Sequence, residues 1–155
     1  MADRLVKLSE KEREEIVKSL PTSSKLRAKI ERAGKKITVA SAKGKGLNFQ
    51  REMCAKISEL IGIPYLRGSD DSLIESRGGG QHGVDIILRG EAKKKFPYSP
   101  ECKNQEGMNL METVNQSIAN QQEGTDWIVF HRRKALPVDL VILSWEAFAK
   151  LWRGA

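Results

Sequence analysis

Asp85, Glu101 and Lys103 are the residues whose types and spacing most readily do chemistry. They lie in two short runs, Gly83-Val84-Asp85-Ile86-Ile87-Leu88-Arg89 and Tyr98-Ser99-Pro100-Glu101-Cys102-Lys103. Both runs read as strands, and the polar, basic stretch from Gly90 to Pro97 reads as the link of a hairpin. An antiparallel hairpin centred on Lys93 sets Asp85 across from Glu101. Side chains alternate along a strand, so Lys103 shares their face while Cys102 points away. Two carboxylates on one face repel unless a cation or proton lies between them. A hard divalent cation such as Mg²⁺ takes one or two protein carboxylates and completes its shell with substrate phosphate. Such a set suits metal-assisted hydrolysis of a phosphodiester.

The elements that must position this set follow from periodicity. Leu47 to Ile61 reads as a helix with Phe49, Met53, Ile57, Leu60 and Ile61 as its buried stripe. Ile63 to Arg67 reads as an edge strand, where Pro64 is tolerated. Gly68 to Gly83 reads as a glycine-rich loop whose Asp70, Asp71 and Glu75 are rival metal ligands without fixed spacing. Gly78-Gly79-Gly80 brings backbone close to a ligand but lacks the Gly-Lys-Ser/Thr ending of a P-loop. Met108 to about Gln122 reads as a helix with Leu110, Met111, Val114, Ile118 and Ala119 on its apolar face. Trp127 to His131 and Val138 to Leu143 read as core strands, joined by a basic link containing Arg132 and Arg133. The last helix, Trp145 to Trp152, is expected to turn Phe148 and Leu151 to the core; part of its aromatic run could form a dimer surface.

The first third differs from the rest. Residues 1–46 hold 13 Lys and Arg against 6 Asp and Glu, whereas residues 47–155 hold 14 of each, so all of the formal +7 charge lies at the front. That distribution fits either a solubilising tail or an arm that grips nucleic acid. Ser9 and Glu12 form a capping box for a helix over Lys11 to Leu20, and Lys25 to Ala33 is a second amphipathic helix. Thr38 to Gly46 reads as a linker. The expected division is thus a basic helical extension, 1–42, and a core, 43–155.

With 39% hydrophobic and 30% charged residues among 155, the chain has the ordinary composition of a soluble globular protein of one domain, and the order of its expected strands and helices gives an α/β core. No apolar run approaches the ~18 residues of a membrane span. The start lacks an apolar signal core, and Cys54 and Cys102 make no disulfide framework. The expectation is therefore a cytoplasmic protein with no membrane partner.

Asp85 followed by Glu101-Cys102-Lys103 resembles the D…(D/E)-x-K signature of the PD-(D/E)XK nuclease superfamily, with Val84 where that name has Pro. Lys45-Gly46 and then Gln50-Arg51-Glu52 resemble the opening of archaeal-type Holliday junction resolvases. Ser76 to Asp85 and Glu101 to Glu106 resemble the phage-encoded members of that group, over a stretch from roughly Lys43 to Leu151. The resemblance implies an α/β restriction-endonuclease-like core with a central mixed β-sheet flanked by helices. It implies a homodimer that resolves four-way DNA junctions with Mg²⁺, for which Mn²⁺ substitutes, and with no organic cofactor. For a phage-encoded member the location is the host cytoplasm. Asp85, Glu101 and the Cys102 carbonyl would hold the metal, with Glu52 assisting. Lys103 would orient or deprotonate the nucleophile or stabilise the transition state. Gln116 would support the site, with Gln121 or Gln122 as competitors. Lys43, Lys45, Arg51, Arg77, His82, Arg132 and Arg133 would contact DNA. A repair or restriction-like nuclease acting on other DNA, or a non-catalytic DNA-binding protein, would keep the same fold.

Overall fold

The computed structural model of the protein describes residues 9–34, 39–78 and 82–154. The chain divides into two compact units, Met1–Val39 and Ala40–Ala155. The first holds α1 (Glu10–Ser19) and α2 (Lys25–Gly34). The expected capping box opens α1: the Glu12 carboxylate accepts the Ser9 N–H at 2.7 Å, and the Ser9 hydroxyl accepts the Glu12 N–H at 3.3 Å. Arg27 of α2 ties back to α1 by donating to the Leu20 carbonyl at 3.2 Å.

The second unit is mixed α/β. α3 (Val39–Ile61) leads to β1 (Ile74–Ser76), β2 (Ile86–Leu88), α4 (Gly90–Lys95) and β3 (Tyr98–Asn104). α5 (Leu110–Ala119), β4 (Asp126–Arg132), β5 (Leu140–Ile142) and α6 (Trp145–Gly154) follow. β1 and β2 form an antiparallel pair, and β3, β4 and β5 a mixed sheet with β3 parallel to β4 and β5 antiparallel to it. Phe49, Met53, Cys54 and Ile57 of α3 pack on Ile74, Ile86, Tyr98, Ile128 and Phe130 of the strands. Among the described residues no helix is long and apolar enough to cross a membrane.

Several expectations are corrected. The stretch expected as a linker before Leu47 is helical from Val39, despite Gly44 and Gly46, each costing about 1 kcal/mol relative to Ala in a helix interior. Ile63 to Arg67 is not a strand: Pro64 lacks an N–H, and the run breaks into a turn. The strand that pairs β2 is instead β1, inside the segment expected to be loop. The presumed hairpin link contains helix α4, whose Ala92 is fully buried, so β2 and β3 are not hairpin partners. Leu60 lies on the expected stripe yet is 73% exposed, at a cleft of about 340 Å³ that it lines with Met53, Ile57 and Phe130. α5 buries Thr113 and Ser117 rather than Leu110, Met111 and Ile118, which stay exposed. Small side chains admit close helix–strand approach, and the Ser117 hydroxyl is satisfied by donating to the Thr113 carbonyl at 2.8 Å. On α6, Ala147 faces inward, while Phe148 and Leu151 are exposed with Trp145 and Trp152.

Candidate active site

Asp85 stands at the seam between the two sheets. Its N–H donates to the Pro100 carbonyl at 2.9 Å, the backbone bond that ties the start of β2 to β3. Within a strand, a residue's N–H and C=O project to the same edge, and alternate residues share that edge. Pro100 and Cys102 therefore both face β2. Pro100 has no N–H to return, and the Cys102 N–H donates at 2.8 Å to Oδ2 of the Asp85 side chain instead of to backbone. The expected single sheet thus parts into two at this point, and the carboxylate occupies the opening. The Cys102 carbonyl projects from the same edge, while its thiol lies in the core, with its pKa pushed well up by burial.

Glu101 is 4% exposed. One of its oxygens, Oε1, pairs with Lys103 Nζ at 2.8 Å. The other, Oε2, is buried and has no hydrogen-bond partner. Leaving a buried acceptor unsatisfied costs about 1–3 kcal/mol, and more when it is charged. Lys103 also donates to Gln116 Oε1 at 2.9 Å, so the Gln116 expected to support the site meets it through Lys103. The Asp85 carboxyl is pushed up to about 6, first by burial and then by the charge of Glu101; the Cys102 N–H, Lys103 and Arg77 oppose the shift.

A partnerless buried carboxylate oxygen, a second carboxylate held in a poorly ionising setting and a carbonyl on the same edge are hard oxygen donors. Among the described residues no three His, Cys, Asp or Glu side chains gather as a metal cage. Two carboxylates with open positions suit Mg²⁺ better than a closed structural Zn²⁺ site.

Glu52 is placed in a different cluster. Arg132 grips Asp139 with two bonds, Nε to Oδ1 at 2.7 Å and Nη2 to Oδ2 at 2.9 Å, and reaches Glu52 Oε2 with Nη1 at 2.5 Å. Lys56 adds a bond to Asp139 at 2.7 Å, and the Arg132 guanidinium lies 4.4 Å from the centre of the Phe49 ring. These contacts hold the Asp139 carboxyl well below the usual range and engage the guanidinium expected to touch phosphate.

The other expected DNA contacts are dispersed. Lys43, Lys45 and Arg133 are exposed, and the Lys45 carbonyl accepts from Asn104 Nδ2 at 3.3 Å. Arg77 lies beside the site: its N–H donates to the Asp85 carbonyl at 2.8 Å, and its guanidinium donates to the carbonyl of exposed His82. Gly83, at φ +105°, adopts a backbone conformation that would strain any side chain, and a Cβ there would also push the Arg77 guanidinium aside. Gly79 and Gly80 lie outside the described residues. Asp70 and Asp71 are exposed, and Glu75 pairs with Arg89 at 2.6 Å. Pro100 belongs to the site through its carbonyl, and its mark in the sequence is a Pro within a strand. No family model, curated protein or solved structure matches the chain.

Proposed function

We propose that this protein is a Mg²⁺-dependent DNA endonuclease of the PD-(D/E)XK type, built on a restriction-endonuclease-like core, whose substrate is the four-way junction. The observation that carries the reading is the buried, partnerless Glu101 Oε2 beside an Asp85 that ionises reluctantly. A protein without catalytic duty gains nothing from holding two carboxylates in that state.

Asp85, Glu101 and the Cys102 carbonyl would hold the cation. Once bound, the cation lowers the pKa of a water and offsets charge on the phosphate, and Mn²⁺ would do the same. Lys103 has three N–H donors; two point to Glu101 and Gln116, which leaves one for an oxygen of the substrate or of the attacking water. Water adds to phosphorus and gives a proton to solvent, the bond to the leaving sugar oxygen breaks, and that oxygen takes a proton from solvent. Arg77, next to the Asp85 backbone, would orient the strand. Glu52, engaged by Arg132, enters this reading by fixing α3 against β4. A two-fold dimer suits a two-fold junction, and the exposed Trp145, Phe148 and Trp152 of α6 offer apolar surface for a second copy. The working compartment would be the cytoplasm.

Cleavage of labelled four-way junction, linear duplex and single strand, side by side in Mg²⁺ and in EDTA, tests the reading. Paired symmetric nicks in the junction alone, absent in Asp85→Asn, are expected. Equal cutting of linear duplex would keep the chemistry and move the substrate to repair or restriction-like DNA. Tight binding without cutting in Mg²⁺ or Mn²⁺ would leave a DNA-binding protein and overturn the enzyme.

A further inference from the structure

One strand away from Asp85, a cavity of about 490 Å³ opens between α3, the turn after Tyr65 and β1. Its size falls within the range of small-ligand sites, but its lining is polar rather than apolar. Arg51, Arg67 and Arg89 line it, opposed by Asp70 and Glu75, so three cations face two carboxylates. Arg89 is already committed, to Glu75 at 2.6 Å and to the Ser72 carbonyl at 3.3 Å. Arg51 and Arg67 make no hydrogen bond or ion pair with another described residue. Guanidinium groups facing a polar cavity are suited to an anion with paired oxygens.

The wall opposite α3 is pre-built. The Ser69 N–H donates to the Leu66 carbonyl at 3.1 Å and the Ser72 N–H to the Ser69 carbonyl at 3.2 Å. The Ser72 hydroxyl accepts the Leu66 N–H at 3.3 Å and donates to the Ile74 carbonyl at 2.5 Å. The turn bears Gly68 at φ +76°, with nothing within 4 Å of an added Cβ. A bound anion would therefore meet little reorganisation cost here. Position matters as much. Ser76, in the cavity wall, is the register partner of Ile86, next to Asp85, and paired strands lie about 4.8 Å apart. Each strand of duplex DNA carries one phosphate per about 3.4 Å of helix axis, so the cavity edge lies within a few nucleotides of the carboxylates.

We infer that this cavity holds a phosphodiester of the bound DNA strand a few nucleotides from the cleaved bond, gripped by Arg51 and Arg67. The surplus of one positive charge matches the single negative charge of a phosphodiester. Arg89, fixed by Glu75, shapes the pocket. The inference rests on the DNA reading above, but its test does not need cleavage.

The test uses full-length protein and labelled four-way junction in Ca²⁺, with affinity measured across a salt series. Arg51→Ala and Arg67→Ala are each expected to weaken binding about five- to tenfold and to lower the salt slope by about 0.9. Arg67→Lys should recover most of the slope, and Arg153→Ala, on α6, should match wild type. In Mg²⁺ the loss should fall on KM and not on the single-turnover rate at saturation. Unchanged affinity and slope in both alanine variants would overturn the inference, as would wild type that binds no DNA. DNA binding without cutting would remove the nuclease reading and leave the slopes to judge the pocket. A thermal shift by deoxyadenosine monophosphate or inorganic phosphate, lost in the double alanine variant while the DNA slope stays intact, would assign the pocket to a free anion and overturn the DNA assignment.

Discussion

Two carboxylate pairs in the larger unit invite comparison. Asp139 and Glu52 meet Arg132 and Lys56 through four bonds of 2.5 to 2.9 Å: Asp139 takes both cations, and Glu52 shares Arg132 with it. Asp85 and Glu101 stand near Lys103 and Arg77, yet Glu101 keeps a buried oxygen without a partner and Asp85 accepts a backbone N–H. Cation count is similar in the two places, and the consequences are opposite. At Asp139 hydrogen bonding outweighs burial and the carboxyl is held far down; at Asp85 burial and the neighbouring charge win, and it is pushed up to about 6. The first pair stabilises the fold, while the second leaves charge uncompensated where a cation or substrate can use it.

The sharpest way to break this comparison is to neutralise one member of each pair. Asp85→Asn should cut single-turnover cleavage of the junction by on the order of 10³-fold, the weight of several kcal/mol of lost charge stabilisation. The same change should raise the melting temperature in EDTA, and a lowered one would show that Asp85 is a structural residue. Asp139→Asn should leave the chemical step near wild type and cost about 1–2 kcal/mol in urea unfolding, since its bidentate Arg132 would lose an ionic partner at a partly exposed site.

The pairs should also give pH dependences of opposite sign. The folded carboxyl of Asp85 ionises later than the unfolded one, so in EDTA its cost is absent below about pH 4 and grows as pH rises to about 6. It levels off there at up to about 3 kcal/mol. Asp139 behaves inversely: its contribution is present above the unfolded value near pH 4 and fades as pH falls through its depressed folded value. Unfolding free energies of wild type, Asp85→Asn and Asp139→Asn from pH 3 to 8 would show the two difference curves diverging, and parallel curves would refute the contrast. The smallest effect is expected at Gln116→Ala, which removes one partner of Lys103: about tenfold in rate, with little change in DNA affinity.

The juxtaposition of Asp85, Glu101 and Lys103 was legible, because strand alternation survives errors in connectivity. The connection was not. Glu91-Ala92-Lys93-Lys94-Lys95 reads as polar linker, yet those residues form helices well, and Ala92 gives the turn one buried contact. α5 misled for the opposite reason: its apolar residues follow a helical stripe, but Thr113 and Ser117 fit the close approach that the sheet allows. β1 is too short for periodicity to reveal, flanked as it is by Asp70, Asp71 and glycines. The Arg132 cluster joins residues 80 positions apart in sequence and left no local pattern at all.

The Cys102 N–H, spent on the Asp85 carboxylate, makes the seam observable from outside. Its amide nitrogen sits one bond from the carboxylate on which the chemistry would depend, in a strand otherwise tied to β4. A ¹⁵N-labelled sample would therefore carry a built-in indicator: one peptide resonance, moving when that carboxylate gains a proton, a cation or a substitution, while the amide of Ser99, earlier on the strand and on its opposite edge, stays still.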